Sequence, residues 1–204
     1  MAKPFADRAG SGMHLHLSLA DAEGRNQYAS ADPEGTPLLR HSIGGMLQHA
    51  SDSLALFAPH ANSYRRFQAN SYAPAALSWG VNNRTVSMRI PGGPSASRHV
   101  EHRLCGADAN PYLAAAAVLA AAHSGIRARS DPGEPIHGNG YAQQRPLLPT
   151  DWLSALRRLE ASTWAREALG ADFLKVYLAI KYAELGQFMR EVGEQDWRWY
   201  LVHA

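Results

Sequence analysis

A period of two residues constrains this chain more tightly than any other feature in it. In GSGMHLHLSLAD, Gly10 to Asp21, Met13, Leu15, Leu17 and Leu19 alternate with His14, His16 and Ser18. An extended strand places the four leucine and methionine side chains on one face and the two imidazoles and the hydroxyl on the other. A half-buried strand with its polar side in water would show this pattern. So would a strand whose polar face lines a site.

The rest of the chain mixes two periods. Residues 13–19 read as a strand, and 22–36 as a polar loop rich in turn residues. A helix is predicted from Pro37 to Phe57, where Leu39, Ile43, Met46, Leu47, Ala50, Leu54 and Phe57 recur at helical spacing and Pro59 follows the end. Ala75–Trp79 and Thr85–Ile90 read as strands joined through Asn82-Asn83, a hairpin-type signal. A short strand is expected around Val100–Leu104. In DANPYLAAAAVLAAAHSG, Asn110 is placed as N-cap, Pro111 as first helical residue and Gly125 as the stop. Residues 129–149, with four prolines and three glycines, read as a long loop. Helices are predicted at about 151–161, 163–169 and 172–192, with a last turn near Asp196–Leu201. Strands followed by a helical tail give an α+β class.

Composition narrows the function classes. The 204 residues suit one domain or a large piece of one. Lys and Arg number 20 against 18 acids, which gives no bulk electrostatic case for nucleic acid. The longest apolar run, Tyr112–Ala122, is eleven residues, whereas a bilayer span needs about 20. No signal peptide is read at the N-terminus, where Lys3, Pro4, Asp7 and Arg8 break any apolar region. Cys105 is the single cysteine, so a reducing, cytoplasmic setting is expected.

Three clusters hold the chemistry-bearing residues. Gly10, His14, His16 and Ser18 form the first. Arg65, Arg66, Arg84 and Arg89 lie within 25 residues and form the second. Arg98, Glu101 and Arg103, in RHVEHR, form the third. Imidazole and carboxylate are a normal ligand pair for a divalent metal, so His14 and Glu101 are candidates. A hydrogen-bonded pair between two strands is the other reading. Arginine forks suit carboxylates and phosphates, although a lone surface ion pair is worth only about 0–1 kcal/mol. Arg84 and Arg89 would face opposite ways on one regular strand, so serving one ligand together requires Arg84 on a turn or bulge. His41, His49, His60, His123, His137 and His203 occur singly and read as structural or solvated. Trp152, Trp164, Trp197 and Trp199 read as packing residues.

KPF…GSGMHLHLSL, NSYRRF…YAP…WGVNNRTVSMRIP and EHRLCGADANPYLAAA together resemble the glutamine synthetase family, in family order over residues 1–123. The closing DWRWYL also looks like the family's C-terminus. The resemblance implies a curved antiparallel sheet backed by helices, and a ligase that joins the γ-carboxylate of glutamate to an amine through γ-glutamyl phosphate. It implies ATP and Mg2+ or Mn2+ as cofactors, and a ring-like homo-oligomer when the subunit is full length. By position, His14 and Glu101 match ligands of one metal. Gly10, Arg66 and Arg103 match residues around the substrate glutamate. His16 and Ser18 match the nucleotide-contacting pair, and Arg84 and Arg89 the arginines on the ATP phosphates.

Three departures stand out. The family's N-terminal β-grasp domain and its glutamate metal ligands are not in this sequence. The chain therefore reads as a C-terminal portion: 1–128 with the sheet and motifs, the 129–149 loop, and a 150–204 helical tail. Where the family often has arginine two residues before the metal glutamate, this chain has His99, with Arg98 one place earlier. Glutamine synthetase proper carries a glutamate six residues after the arginine equivalent to Arg66, where it binds and deprotonates ammonium. Here that place is Tyr72, which resembles the branch that uses larger amines, the γ-glutamylpolyamine synthetases. The expectation is an ATP-dependent glutamate–amine ligase favouring an organic amine, with Arg84 catalytic and Tyr72 on the amine side. The alternatives are a non-catalytic fragment of the same fold, and a glutamine synthetase that uses ammonia.

Overall fold

A computed structural model describes residues 1–143 and 147–202. Among these residues four three-residue strands form one sheet: β1 Leu15–Leu17, β2 Trp79–Val81, β3 Met88–Ile90 and β4 Val100–His102. Their order is β1-β4-β3-β2. The helices are α1 Pro37–Phe57, α2 Ala61–Tyr64, α3 Pro111–Ala128, α4 Trp152–Ala161, α5 Thr163–Leu169, α6 Ala171–Arg190 and α7 Glu194–Tyr200. This is the α+β arrangement expected from the sequence.

Helix starts follow local chemistry. Thr36 Oγ1 accepts from Leu39 N at 3.3 Å, and Pro37 fills the first helical position of α1. Asn110 Oδ1 accepts from Tyr112 N at 3.0 Å and Leu113 N at 3.3 Å, with Pro111 next, as predicted. Leu39, Ile43, Met46, Leu54 and Phe57 turn one face of α1 into the core. Trp79, Met88, Ile90 and Val100 bury the inner face of the sheet.

Two assignments need correction. β2 and β3 pair in parallel, Trp79 with Met88, Gly80 with Arg89 and Val81 with Ile90, so Asn82-Asn83 does not close a hairpin. Asn82 takes a left-handed φ of 49°, and its N–H donates to Ile90 O at 2.8 Å. The chain then returns through 83–87 to start β3 beside the beginning of β2 rather than its end. The other two pairings are antiparallel. Gly125 does not end α3. The helix runs on to Ala128 and caps at Arg129 with φ 52°. Gly125 faces Gly45 of α1, and a Cβ on either would come within 2.6 Å of the other's Cα. These glycines exist for close helix approach. Strands are also shorter than their alternating patterns, and α2 has no clear sequence mark.

In the tail, Trp152 is 5 % exposed and His49 stacks on Trp164 with ring centroids 4.0 Å apart. Trp197 and Trp199 on α7 are 57 % and 55 % exposed, so they do not pack in this chain as expected. His203 lies outside the described residues, as do positions 144–146 of the expected loop.

Candidate active site

The opening alternation is realised in full. Met13, Leu15, Leu17 and Leu19 are half-buried, and His14, His16 and Ser18 are exposed. Strand register extends their face across the sheet. His16 pairs with Glu101, Glu101 with Arg89, and Arg89 with Gly80, one residue from each strand in a single row. The neighbouring row, Leu15, His102, Met88 and Trp79, belongs to the opposite, core-facing side.

Glu101 is the centre of this face and is 4 % exposed. Its Oε1 accepts from His14 Nδ1 at 2.8 Å and from Arg103 Nη1 at 2.9 Å. Its Oε2 accepts from Arg89 Nη1 at 3.0 Å. Burial alone would raise the Glu101 carboxyl. The hydrogen bond from His14, the Arg103 charge and the Arg89 hydrogen bond outweigh it and bring its pKa down to about 2. Glu101 is thus a carboxylate under any ordinary condition. Of the two readings of the His14–Glu101 pair, the structure shows the hydrogen-bonded one.

Arg89 also donates to Asn82 Oδ1 at 2.7 Å. Arg103 Nη2 donates to the carbonyls of Tyr72 at 3.1 Å and Arg84 at 3.0 Å. Arg84 sits in the turn between β2 and β3, the placement it needs to act with Arg89. Arg66 is 4 % exposed and spends both terminal nitrogens on backbone, Nη1 on Leu104 O and Nη2 on Arg103 O, each at 3.0 Å. A Cβ on Gly10 would meet Arg66 Cγ at 2.6 Å, so Gly10 is the close-packed neighbour of that side chain. Tyr72 is 65 % exposed with φ 57°, a left-handed conformation that a bulky residue rarely takes.

At the other end of the face, His16 and Ser18 border a cavity of about 420 Å³ that also meets Asn26, Ser97 and His99. His99 Nδ1 lies 2.7 Å from the Ser97 carbonyl, so it carries the proton. In the neutral ring its Nε2 accepts from His16 Nδ1 at 3.0 Å, which leaves the lone pair of His16 Nε2 free to accept. Burial, against the pull of Glu101, keeps the His16 pKa below its usual value. Arg98 turns away, donating to Ser30 O at 3.3 Å. Asn82, His99 and Tyr141 are the site neighbours that composition alone did not mark. Of these, only His99 had a sequence cue, its displacement of an arginine.

Two potential ligands, His14 and Glu101, stand together. Among the described residues no group of three or more His, Cys, Asp or Glu is placed to hold a metal ion. Nitrogen plus carboxylate suits one edge of a divalent cation's shell.

Comparison with known proteins places this fold and its charged row. The family model for the glutamine synthetase catalytic domain matches residues 1–200. The chain belongs to the glutamine synthetase family. It is 43 % identical over 204 residues to gamma-glutamylputrescine synthetase PuuA of Escherichia coli K12, covering 100 % of this chain and 43 % of that protein. It is 40 % identical to gamma-glutamylethanolamide synthetase GlnA4 of Streptomyces coelicolor, covering 97 % and 42 %. Among solved structures, a GmaS/ADP complex superposes with a TM-score of 0.89 at 33 % identity, covering 99 % of this chain and 48 % of that one. The chain spans about half the length of the curated relatives it matches.

Proposed function

We propose that this chain is the C-terminal portion of the catalytic domain of an ATP-dependent glutamate–amine ligase that favours an organic amine over ammonia. The observation that carries the activity is the row His16–Glu101–Arg89 with His14 beside it, on the face of the sheet turned away from the core. The relatives named for putrescine, ethanolamide and methylamine support the amine class, and Tyr72 supplies the local reason.

In this reading a γ-carboxylate oxygen of glutamate attacks the γ-phosphorus of ATP, and ADP leaves. The unprotonated amine nitrogen then attacks the acyl carbon, phosphate leaves with the bonding pair, and the proton shed by the nitrogen goes to the departing phosphate. Gly10, Arg66 and Arg103 shape the glutamate side. His16 and Ser18 border the nucleotide cavity. Arg84 and Arg89 meet phosphate oxygens, so catalysis is positioning plus charge neutralisation. Mg2+ or Mn2+, held in part by His14 and Glu101, would supply further neutralisation of the transferring phosphoryl group. The remaining ligands would come from the longer subunit, which we place in a cytoplasmic homo-oligomer. No helix among the described residues is long and apolar enough to cross a membrane.

The test uses a full-length enzyme containing this chain. His14→Ala and Glu101→Ala should each weaken Mn2+ binding, followed by electron paramagnetic resonance, and abolish phosphate release. His16→Ala should mainly raise the KM for ATP. Unchanged metal binding and rate in His14→Ala would return this strand to an ordinary solvated surface.

A further inference from the structure

The 129–143 segment reads from sequence as a plain loop, yet it is built into the edge of the site. Ile136 N donates to Trp79 O at 2.7 Å, and a Cβ on Gly80, the last member of the charged row, would meet Ile136 O at 2.7 Å. Asn83 Nδ2 donates to the carbonyls of Ile136 at 3.1 Å and Gly138 at 2.8 Å. Thr85 Oγ1 accepts from Gly140 N at 2.8 Å. These contacts fix the short turn Gly140–Ala142, which carries Tyr141.

The Tyr141 hydroxyl donates to Ala73 O at 2.9 Å. Burial, partly offset by Ser71 and Arg103, pushes the phenol above its usual pKa, so it stays a protonated donor. On the other side of Tyr72, Arg103 Nη2 holds the Tyr72 carbonyl while its Nη1 holds Glu101. Tyr72 is therefore gripped on both flanks while its backbone adopts a left-handed φ of 57°. Such a conformation persists in a bulky residue only where its surroundings over-determine it.

We propose that Tyr141 is a positioning residue for amine selection: it fastens the 71–73 loop so that Tyr72 presents its ring as the wall of the amine entrance. The ring lies outside the core, 65 % exposed, so its direction depends on the loop backbone rather than on packing. This role rests on the amine-ligase reading above.

Two measurements test it. In the 204-residue chain, Tyr141→Phe keeps the ring and removes the hydroxyl. Amide exchange of peptides spanning 70–74 should quicken by roughly 5-fold or more, while exchange in α1 and α3 stays as in wild type. Unchanged exchange in 70–74 overturns the proposal. In the full-length enzyme, the same variant should raise the KM for putrescine by roughly 3- to 10-fold, the worth of one hydrogen bond. The KM values for ATP and glutamate should stay within about 2-fold of wild type, since their proposed contacts keep their bonds. An equal rise in all three KM values shows a general structural role and overturns it, as does a putrescine KM that does not move. If the wild-type enzyme works best with ammonium, the ligase's amine reading fails, while the exchange result still reports whether Tyr141 holds the loop.

Discussion

Glu101→Gln separates the work of a carboxylate from that of its shape. In the wild type Glu101 falls from an ordinary 4.5 to about 2. That difference corresponds to about 3 kcal/mol of folding stability. Because the folded pKa is depressed, this contribution is fully present above about pH 4.5. It is lost as the pH falls through about 2, where the folded carboxyl also takes up its proton. Glutamine keeps the size and one acceptor oxygen but leaves the Arg103 and Arg89 cations, with side chains 5 % and 15 % exposed, without their counter-charge. Urea unfolding of the 204-residue chain at several pH values measures this. At pH 7 the variant should lose about 3 kcal/mol, a midpoint shift of roughly 1–1.5 M urea. The gap between the two proteins should close as the pH approaches about 2.5. A gap that stays constant with pH would show that the Glu101 charge contributes nothing, and the electrostatic description of the row would fail.

Other outcomes follow from the same contacts. Burial holds His102 down to about 3, so its share of stability is present above 6.5 and drains as the pH falls toward 3; His102→Gln should flatten the loss of stability between pH 6.5 and about 4 in the same unfolding series. Gly45→Ala forces a methyl into α3 and should cost about 1–3 kcal/mol, seen as a thermal midpoint lowered by roughly 3–10 °C. The 204-residue chain alone should release no phosphate from ATP with glutamate and putrescine, because among its described residues no three candidate metal ligands come together; release at an enzyme-like rate would refute this.

The candidate site was legible wherever a side chain's placement follows from strand parity. His14, His16 and Ser18 share a face because alternation leaves them no other, whereas Glu101 joins it through the register of β4 against β1. The caps at Asn110 and Pro111 were legible because their chemistry is local. Gly125 misled because a glycine near a helix end reads equally as a stop or as a site of close approach, and only the facing Gly45 decides. Asn82-Asn83 misled because the return of the chain into a parallel pairing is a tertiary choice, made where β3 finds β4. Tyr141 was invisible for the same reason: its partner is Ala73, 68 positions away. The helical tail was placed nearly to the residue, but the exposed Trp197 and Trp199 show that periodicity alone does not say what a helix packs against.

Amine choice tests the proposed activity most directly. A carboxylate at position 72 would draw ammonium by charge and take its proton, whereas the Tyr72 ring offers a wall to a methylene chain and a π face to a charged head. Cation–π attraction of roughly 0.5–2 kcal/mol gives about 2- to 30-fold in affinity. In a full-length enzyme, phosphate release with glutamate and ATP is compared for ammonium, ethanolamine, putrescine and spermidine at equal free-base concentration. An alkylamine should give the highest kcat/KM, and Tyr72→Ala should erase that preference while the KM for ATP holds. Ammonium as clearly the best acceptor would contradict the assignment and leave an ammonia-using glutamine synthetase in its place.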